Sequence, residues 1–167
     1  NGGRLSLEQK YIDRLDYAIV GIHGLCYQNE GTDGNTTNLI ECMKNPKVKL
    51  VSHPDDDHTP LDYPRLVQAA LQYHVALEVN NSSFSHSRAG SEANCRAIVE
   101  AARDLGAYLT FGSDSHVAFS LGDFDHCHRL VTEANFPHER ILARSPRALL
   151  DFLESRGRAH IPEFVDL

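Results

Sequence analysis

Three histidines and one aspartate follow apolar segments of the sequence, in positions where their side chains could bind a metal ion. His23 comes directly after such a segment, His53 comes two residues after another, and Asp114 and His116 follow a third one together. Carboxylate oxygen combined with imidazole nitrogen suits zinc, manganese or iron. No cysteine accompanies these residues, which argues against a structural zinc site.

The spacing of Asp114 and His116 is informative by itself. In an extended segment, residues two apart point to the same side of the chain. The carboxylate and the imidazole can therefore reach one cavity from a single strand end. The pattern Asp-x-His is common by chance, and its value here comes from His23 and His53 at the ends of two other apolar segments.

The elements that must position these residues alternate between strand and helix. Four apolar segments rich in β-branched residues predict buried parallel strands: Tyr17–Ile22, Val48–Val51, Val75–Val79 and Tyr108–Phe111. Helical patterns fill the intervals and follow the last strand: Thr37–Lys44, Asp62–Tyr73, Glu92–Leu105, Asp123–Ala134 and a final helix between Ser145 and Gly157. Arg140–Ala143 could add a further short strand.

This alternation predicts an α/β fold with a parallel sheet, either open or closed into a barrel. The carboxyl ends of parallel strands meet at one edge of the sheet, and that edge carries the active site in such folds. We therefore expect the three histidines and Asp114 to form a metal-binding face. Glu78, inside the third strand, is expected to be buried and hydrogen-bonded for structural reasons.

Two polar loops lie near the same predicted edge. The segment Asn80–Arg88 offers hydroxyls, amides and one guanidinium, and Arg88 could bind phosphate oxygens in a bidentate manner. An ordinary helix-capping loop, with Ser91 as the cap, would explain the same composition. The Asp-rich segment Pro54–Pro60 is expected to be a solvated loop.

Composition limits the classes of partner. The chain has 167 residues and a formal net charge of -7, and no cluster of Lys and Arg suggests a nucleic-acid surface. No apolar stretch is long enough to span a membrane, and no signal peptide is visible. The four scattered cysteines are typical of reduced thiols in a cytoplasmic protein.

Several motifs together resemble the PHP (polymerase and histidinol phosphatase) superfamily, and most closely the YcdX-type bacterial phosphatases. They are Ala76–Phe84, Gly112–His116, Ser145-Pro146-Arg147 and Phe152–Gly157. The resemblance extends from Gly3 to Leu167. It implies a distorted (βα)7 TIM-like barrel with parallel strands, outer helices and a trinuclear metal site, usually of zinc, with manganese or iron as alternatives.

The resemblance also distributes the ligands. It implies that His23 and His53 bind one metal, Asp114 a second and His116 a third. The family's His-x-His motif, its next histidines and its bridging glutamate would all precede residue 1. The resemblance therefore implies that residues 1–167 form a single barrel domain lacking its N-terminal strands, equivalent to the C-terminal two thirds of such a protein.

The expected activity is hydrolysis of a small phosphate monoester, with Asp114 and His116 as catalytic residues and Arg88, Ser82 and Ser83 holding phosphate. With its ligand set incomplete, this chain alone is expected to be weakly active or inactive. A separate N-terminal fragment or a second copy of the chain are the expected partners. Two other classes stay open: a non-catalytic barrel fragment serving as an assembly module, and a nuclease acting on nucleic-acid ends, which the acidic charge disfavours.

Overall fold

A four-stranded parallel sheet covered by helices forms the centre of the molecule. The computed structural model describes residues 2–84, 90–155, 157–164 and 166. The strands are β1 Ala18–Val20, β2 Val48–Val51, β3 Ala76–Asn80 and β4 Leu109–Gly112. The helices are α1 Gln9–Ile12, α2 Gly31–Met43, α3 Tyr63–Tyr73, α4 Glu92–Leu105, α5 Asp125–Glu133 and α6 Pro146–Glu154.

The strands lie in the sheet in the order in which they occur along the chain, β1-β2-β3-β4, and every pairing is parallel. Connections between adjacent parallel strands are right-handed, so this order places the connecting helices α2, α3 and α4 on one face. Val51, Leu77 and Leu109 are fully buried in the main apolar core. The predicted α/β fold with a parallel sheet and surrounding helices is therefore confirmed.

The opposite face of the sheet is covered mainly at one end. Leu50 and Ala76 pack with Leu142 and with Phe152 and Leu153 of α6 in a second, smaller apolar cluster. Ser145 caps α6, because its side chain accepts a hydrogen bond from the Ala148 N–H. The carboxyl end of this face, where the candidate site lies, is left to polar residues.

The short strand predicted at Arg140–Ala143 is not present. Ile141 forms a single parallel bridge to Leu109, and the chain makes tight 3₁₀ turns immediately before and after it, at His138–Arg140 and Leu142–Arg144. The apolar pattern arises because Ile141 and Leu142 are buried against the sheet, and burial alone does not require an extended conformation.

The four cysteines are all free thiols, and they differ in their exposure to solvent. Cys26 is exposed, whereas Cys42, Cys95 and Cys127 are buried. Burial raises the pKa of all three buried thiols, that of Cys127 to about 12. None of the helices in the described residues is both long and apolar enough to cross a membrane.

We expect one fast-reacting thiol per chain. Because the thiolate is the reactive form, the chromogenic disulfide DTNB should modify Cys26 at pH 8 in the folded protein and all four cysteines in denaturant. The Cys26→Ser variant is the control and should show no fast phase. Two or more fast equivalents in the folded protein would contradict this arrangement of the core.

Candidate metal centre

His23 and His53 lie side by side beyond the carboxyl ends of β1 and β2. Their Nε2 atoms are 3.1 Å apart, and the two rings meet edge to face with centroids 4.8 Å apart. His53 is buried and His23 is exposed. In a hydrogen bond between two neutral rings, only one of the two Nε2 atoms carries the proton. The other Nε2 keeps a lone pair, which can accept that hydrogen bond or bind a cation instead.

A glutamate from the next strand positions His53. The backbone N–H of His53 donates to Glu78 Oε2 at 2.7 Å, and the side-chain amide of Asn80 donates to the same oxygen at 3.2 Å. His53 has a φ of 32°, which non-glycine residues rarely adopt. Glu78 is hydrogen-bonded as expected but only half-buried, and its carboxylate holds the backbone of His53.

Two glycines make room for the site. A Cβ on Gly112 would overlap the Glu78 carboxylate, so only glycine allows β4 to approach this side chain. A Cβ on Gly21 would overlap Ser52 Oγ and lie 3.3 Å from both His23 Cε1 and His53 Nε2. The absence of a side chain at Gly21 therefore lets the two imidazoles meet.

We expect Gly21→Ala to separate the imidazoles and to lower the free energy of unfolding by about 1–3 kcal/mol, a typical cost of overpacking. Gly24→Ala is the matched control, because a Cβ there meets nothing within 4 Å. Urea unfolding of both variants checks the prediction. Equal stability of the two would show that the contact at Gly21 is not tight.

Asp114 and His116 follow β4, two strands from His53. Asp114 has a φ of 51°, a second non-glycine residue with positive φ at this edge. The Asp114 carbonyl oxygen lies 2.8 Å from His116 Nδ1. A carbonyl only accepts, so Nδ1 carries the proton and Nε2 of the neutral ring keeps its lone pair. His116 is exposed and Asp114 is half-buried.

Of the three residues predicted to bind phosphate, Ser82 and Ser83 have little contact with solvent. Ser82 and Ser83 lie in a 3₁₀ turn after β3 and are both buried, and the Ser82 N–H already donates to Asn80 Oδ1 at 2.9 Å. Arg88 lies outside the described residues. A contact of these residues with phosphate stays a prediction.

The Asp-rich loop is not fully solvated, contrary to the expectation from its composition. Asp55 is completely buried, whereas Asp57 is exposed. The side-chain amide of Asn94, on α4, donates to the Asp55 carbonyl at 3.0 Å and also to the Asp57 carboxylate. The sequence gives no local signal for these hydrogen bonds, because Asn94 lies 37 and 39 residues away from its two partners.

The structure thus brings His23 and His53 together and leaves Asp114 and His116 as a second group on the same edge. Among the described residues, no group of three His, Cys, Asp or Glu side chains is arranged to hold a metal ion. A metal-binding role of the two imidazoles stays a prediction. Such a strand-end cluster on a parallel α/β sheet is typical of an enzyme whose site lies at the carboxyl edge.

The chain belongs to the family of proteins named "Probable phosphatase". The Aeromonas hydrophila member is 64% identical over 165 residues, which is 99% of this chain and 67% of that protein. The Aeromonas salmonicida member is 62% identical over the same length, and a Yersinia pestis member is 52% identical over 156 residues, 64% of its length. The chain spans about two thirds of the length of these relatives. No family model matches it.

Proposed function

We propose that this chain is the larger part of a metal-dependent phosphoesterase of the PHP superfamily, which hydrolyses a small phosphate monoester. The observation that carries the proposal is the His23–His53 pair, with Nε2 atoms 3.1 Å apart at the active-site edge of a parallel sheet. Membership of a family named for phosphatase activity supports the reaction class.

The residues fit zinc in type and spacing. Two imidazole nitrogens bound to one tetrahedral zinc, each at about 2.0–2.1 Å, lie roughly 3.3 Å apart, close to the separation of His23 and His53. Adjacent parallel strands are about 4.8 Å apart, so the ends of β2 and β4 are separated by roughly 10 Å. This distance favours separate metals for the histidine pair and for the Asp114 and His116 group, as in a trinuclear zinc site.

Each residue has a distinct part in the proposed reaction. A bound metal ion supplies Lewis acidity, which makes water more acidic and stabilises negative charge on phosphoryl oxygens. His23 and His53 would hold one metal, and the Asp114 carboxylate would bind another and balance its charge. The Nε2 of His116, whose proton is on Nδ1, is free to act as a ligand or to exchange a proton with water or the leaving oxygen.

The edge of β1 is where the ligand set would be completed. β1 pairs only with β2 among the described strands, and Ile19 is 56% exposed although it lies in the middle of β1. A cavity of about 730 Å³ extends along this edge from Leu5 past Ile19 to His23. We propose that the remaining third of the relatives' length packs here, adds parallel strands and closes residues 1–167 into a TIM-like barrel.

The test compares two proteins. One is this chain alone, and the other is a full-length chimera, the Aeromonas hydrophila relative with its aligned segment replaced by this chain. With zinc or manganese, the chimera should release phosphate from p-nitrophenyl phosphate in a malachite-green assay, and the chain alone should be weakly active or inactive. Equal turnover by the chain alone would refute the incomplete site.

A chelator supplies the control. Removal of metal from the chimera with EDTA should abolish turnover, and readdition of zinc should restore it. Full activity in EDTA would refute the metal dependence but leave the phosphatase assignment standing.

A further inference from the structure

The loop that follows His53 is held by the first turn of α4. The side-chain amide of Asn94 donates to the Asp55 carbonyl at 3.0 Å and to the Asp57 carboxylate. These bonds connect residues 37 and 39 positions apart in the chain. They fix the backbone two residues after His53, so they limit how far His53 can move.

A buried thiol makes a second connection at the same place. Cys95, the next residue of α4, is 2% exposed, and Asp55 and Ser83 are both 0% exposed. Burial, and then the charge and hydrogen bonding of Asp55, raise the pKa of the Cys95 thiol, and hydrogen bonding by Ser83 acts in the opposite direction. The buried thiol therefore lies against both Asp55, in the loop after β2, and Ser83, in the turn after β3.

The backbone of His53 needs such support. Its φ of 32° is unfavourable for a residue with a side chain, and unfavourable backbone conformations persist only when surrounding contacts hold them. The N–H of His53 is held from the β3 side by Glu78 at 2.7 Å. The contacts of Asn94 and Cys95 hold the following residues from the α4 side.

We propose that Asn94 and Cys95 are positioning residues for His53, which keep its Nε2 directed at His23. Asn94 acts through the backbone carbonyl of Asp55, and Cys95 acts through its contact with the buried Asp55 side chain. Outer partners that orient a metal-binding histidine commonly change metal affinity by 10–100-fold. The metal part of this inference rests on the proposed function, whereas the orientation of His53 does not.

The experiment measures the ring pair and metal binding separately, in the 167-residue chain. Proton NMR detects a nuclear Overhauser effect between the His23 and His53 rings, and calorimetric titration with zinc chloride measures affinity. Asn94→Ala and Cys95→Val remove the two connections, and Cys95→Ser keeps a hydroxyl donor. Arg96→Ala is the control, since Arg96 lies on the same helix but pairs with Glu133.

We expect Asn94→Ala and Cys95→Val to lose the effect between the rings and to bind zinc about 10-fold more weakly. Cys95→Ser should recover most of both signals, and Arg96→Ala should keep them. Asn94 is half-exposed, so its variant is expected to fold even if Cys95→Val does not.

Three results would be decisive. Retention of the ring contact in Asn94→Ala and in a folded Cys95 variant would overturn the inference. Loss of the ring contact in Arg96→Ala as well would also overturn it, because the effect would then reflect general loosening of α4. If the wild-type chain shows the ring contact but binds no zinc, and Asn94→Ala loses the contact, the positioning role stands and the proposed metal site fails.

Discussion

Asp114→Asn is expected to reduce phosphate release by the full-length chimera more than about 100-fold. Loss of a residue that only orients a metal ligand commonly costs about 10–100-fold, and loss of a ligand itself should cost at least as much. The amide is a much poorer metal ligand than the carboxylate and carries no charge to balance a metal. Asparagine adopts positive φ about as readily as aspartate, so the conformation of Asp114, with φ of 51°, is retained. The malachite-green assay measures the loss.

The matched control for this variant is Asp125→Asn. Asp125 is an exposed carboxylate at the start of α5, eleven positions further along the chain. It should keep activity within about twofold, and both variants should melt at the wild-type temperature. If Asp114→Asn retains activity within threefold of wild type, Asp114 is not a ligand.

Leu77→Ala is expected to lower the free energy of unfolding of the chain by about 2–5 kcal/mol. Leu77 is fully buried in β3, where it pairs in register with Val51 on one side and Leu109 on the other. Truncation leaves a cavity that the neighbouring strands cannot close without moving. Urea unfolding followed by circular dichroism provides the measurement.

Ile19→Ala is the control for Leu77→Ala, because it also truncates an aliphatic strand residue. Unlike Leu77, Ile19 is 56% exposed. In the chain alone its cost should stay near 0.5 kcal/mol. In the full-length chimera the cost should rise, because the proposed strand addition buries Ile19. An equal cost in both proteins would argue against packing at the β1 edge.

Strand positions could be predicted closely from the sequence. The predicted segment Val48–Val51 is β2 without change, and β3 and β4 begin and end within one residue of prediction. These strands are buried on their helix-facing side. Their sequences are therefore mostly apolar, and Lys49 and Glu78 are their only charged residues. β1 is shorter than Tyr17–Ile22 because its pairing with β2 is irregular and only three residues are in register.

Helix bounds were predicted where packing and local propensity agree. α4 is Glu92–Leu105 as predicted, whereas α2 begins at Gly31 rather than Thr37. The early turns of α2 are rich in Gly, Thr and Asn, which are weak helix formers. Buried hydrogen bonds stabilise them instead: Asn35 Oδ1 accepts from the Glu30 N–H, and Thr36 Oγ1 donates to the Thr32 carbonyl.

The candidate site could be predicted only in part. Strand ends indicated that His23 and His53 would meet, because parallel strands end at one edge, and the structure brings them together. The positive φ of His53 and its support from α4 could not be predicted, since both depend on contacts between residues far apart in the sequence. The metal ligand roles of His23, His53, Asp114 and His116 stay predictions.

The number of metal ions bound per chain distinguishes a metal-dependent phosphatase from a metal-free one. The full-length chimera, purified with zinc and freed of excess metal, should contain three zinc ions per chain by elemental mass spectrometry. The chimera with His23→Ala and His53→Ala together should lose at least one of them, along with phosphate release. A chimera that releases phosphate with no bound metal, or that keeps all its zinc without these two histidines, would rule out a metal-dependent site that includes His23 and His53.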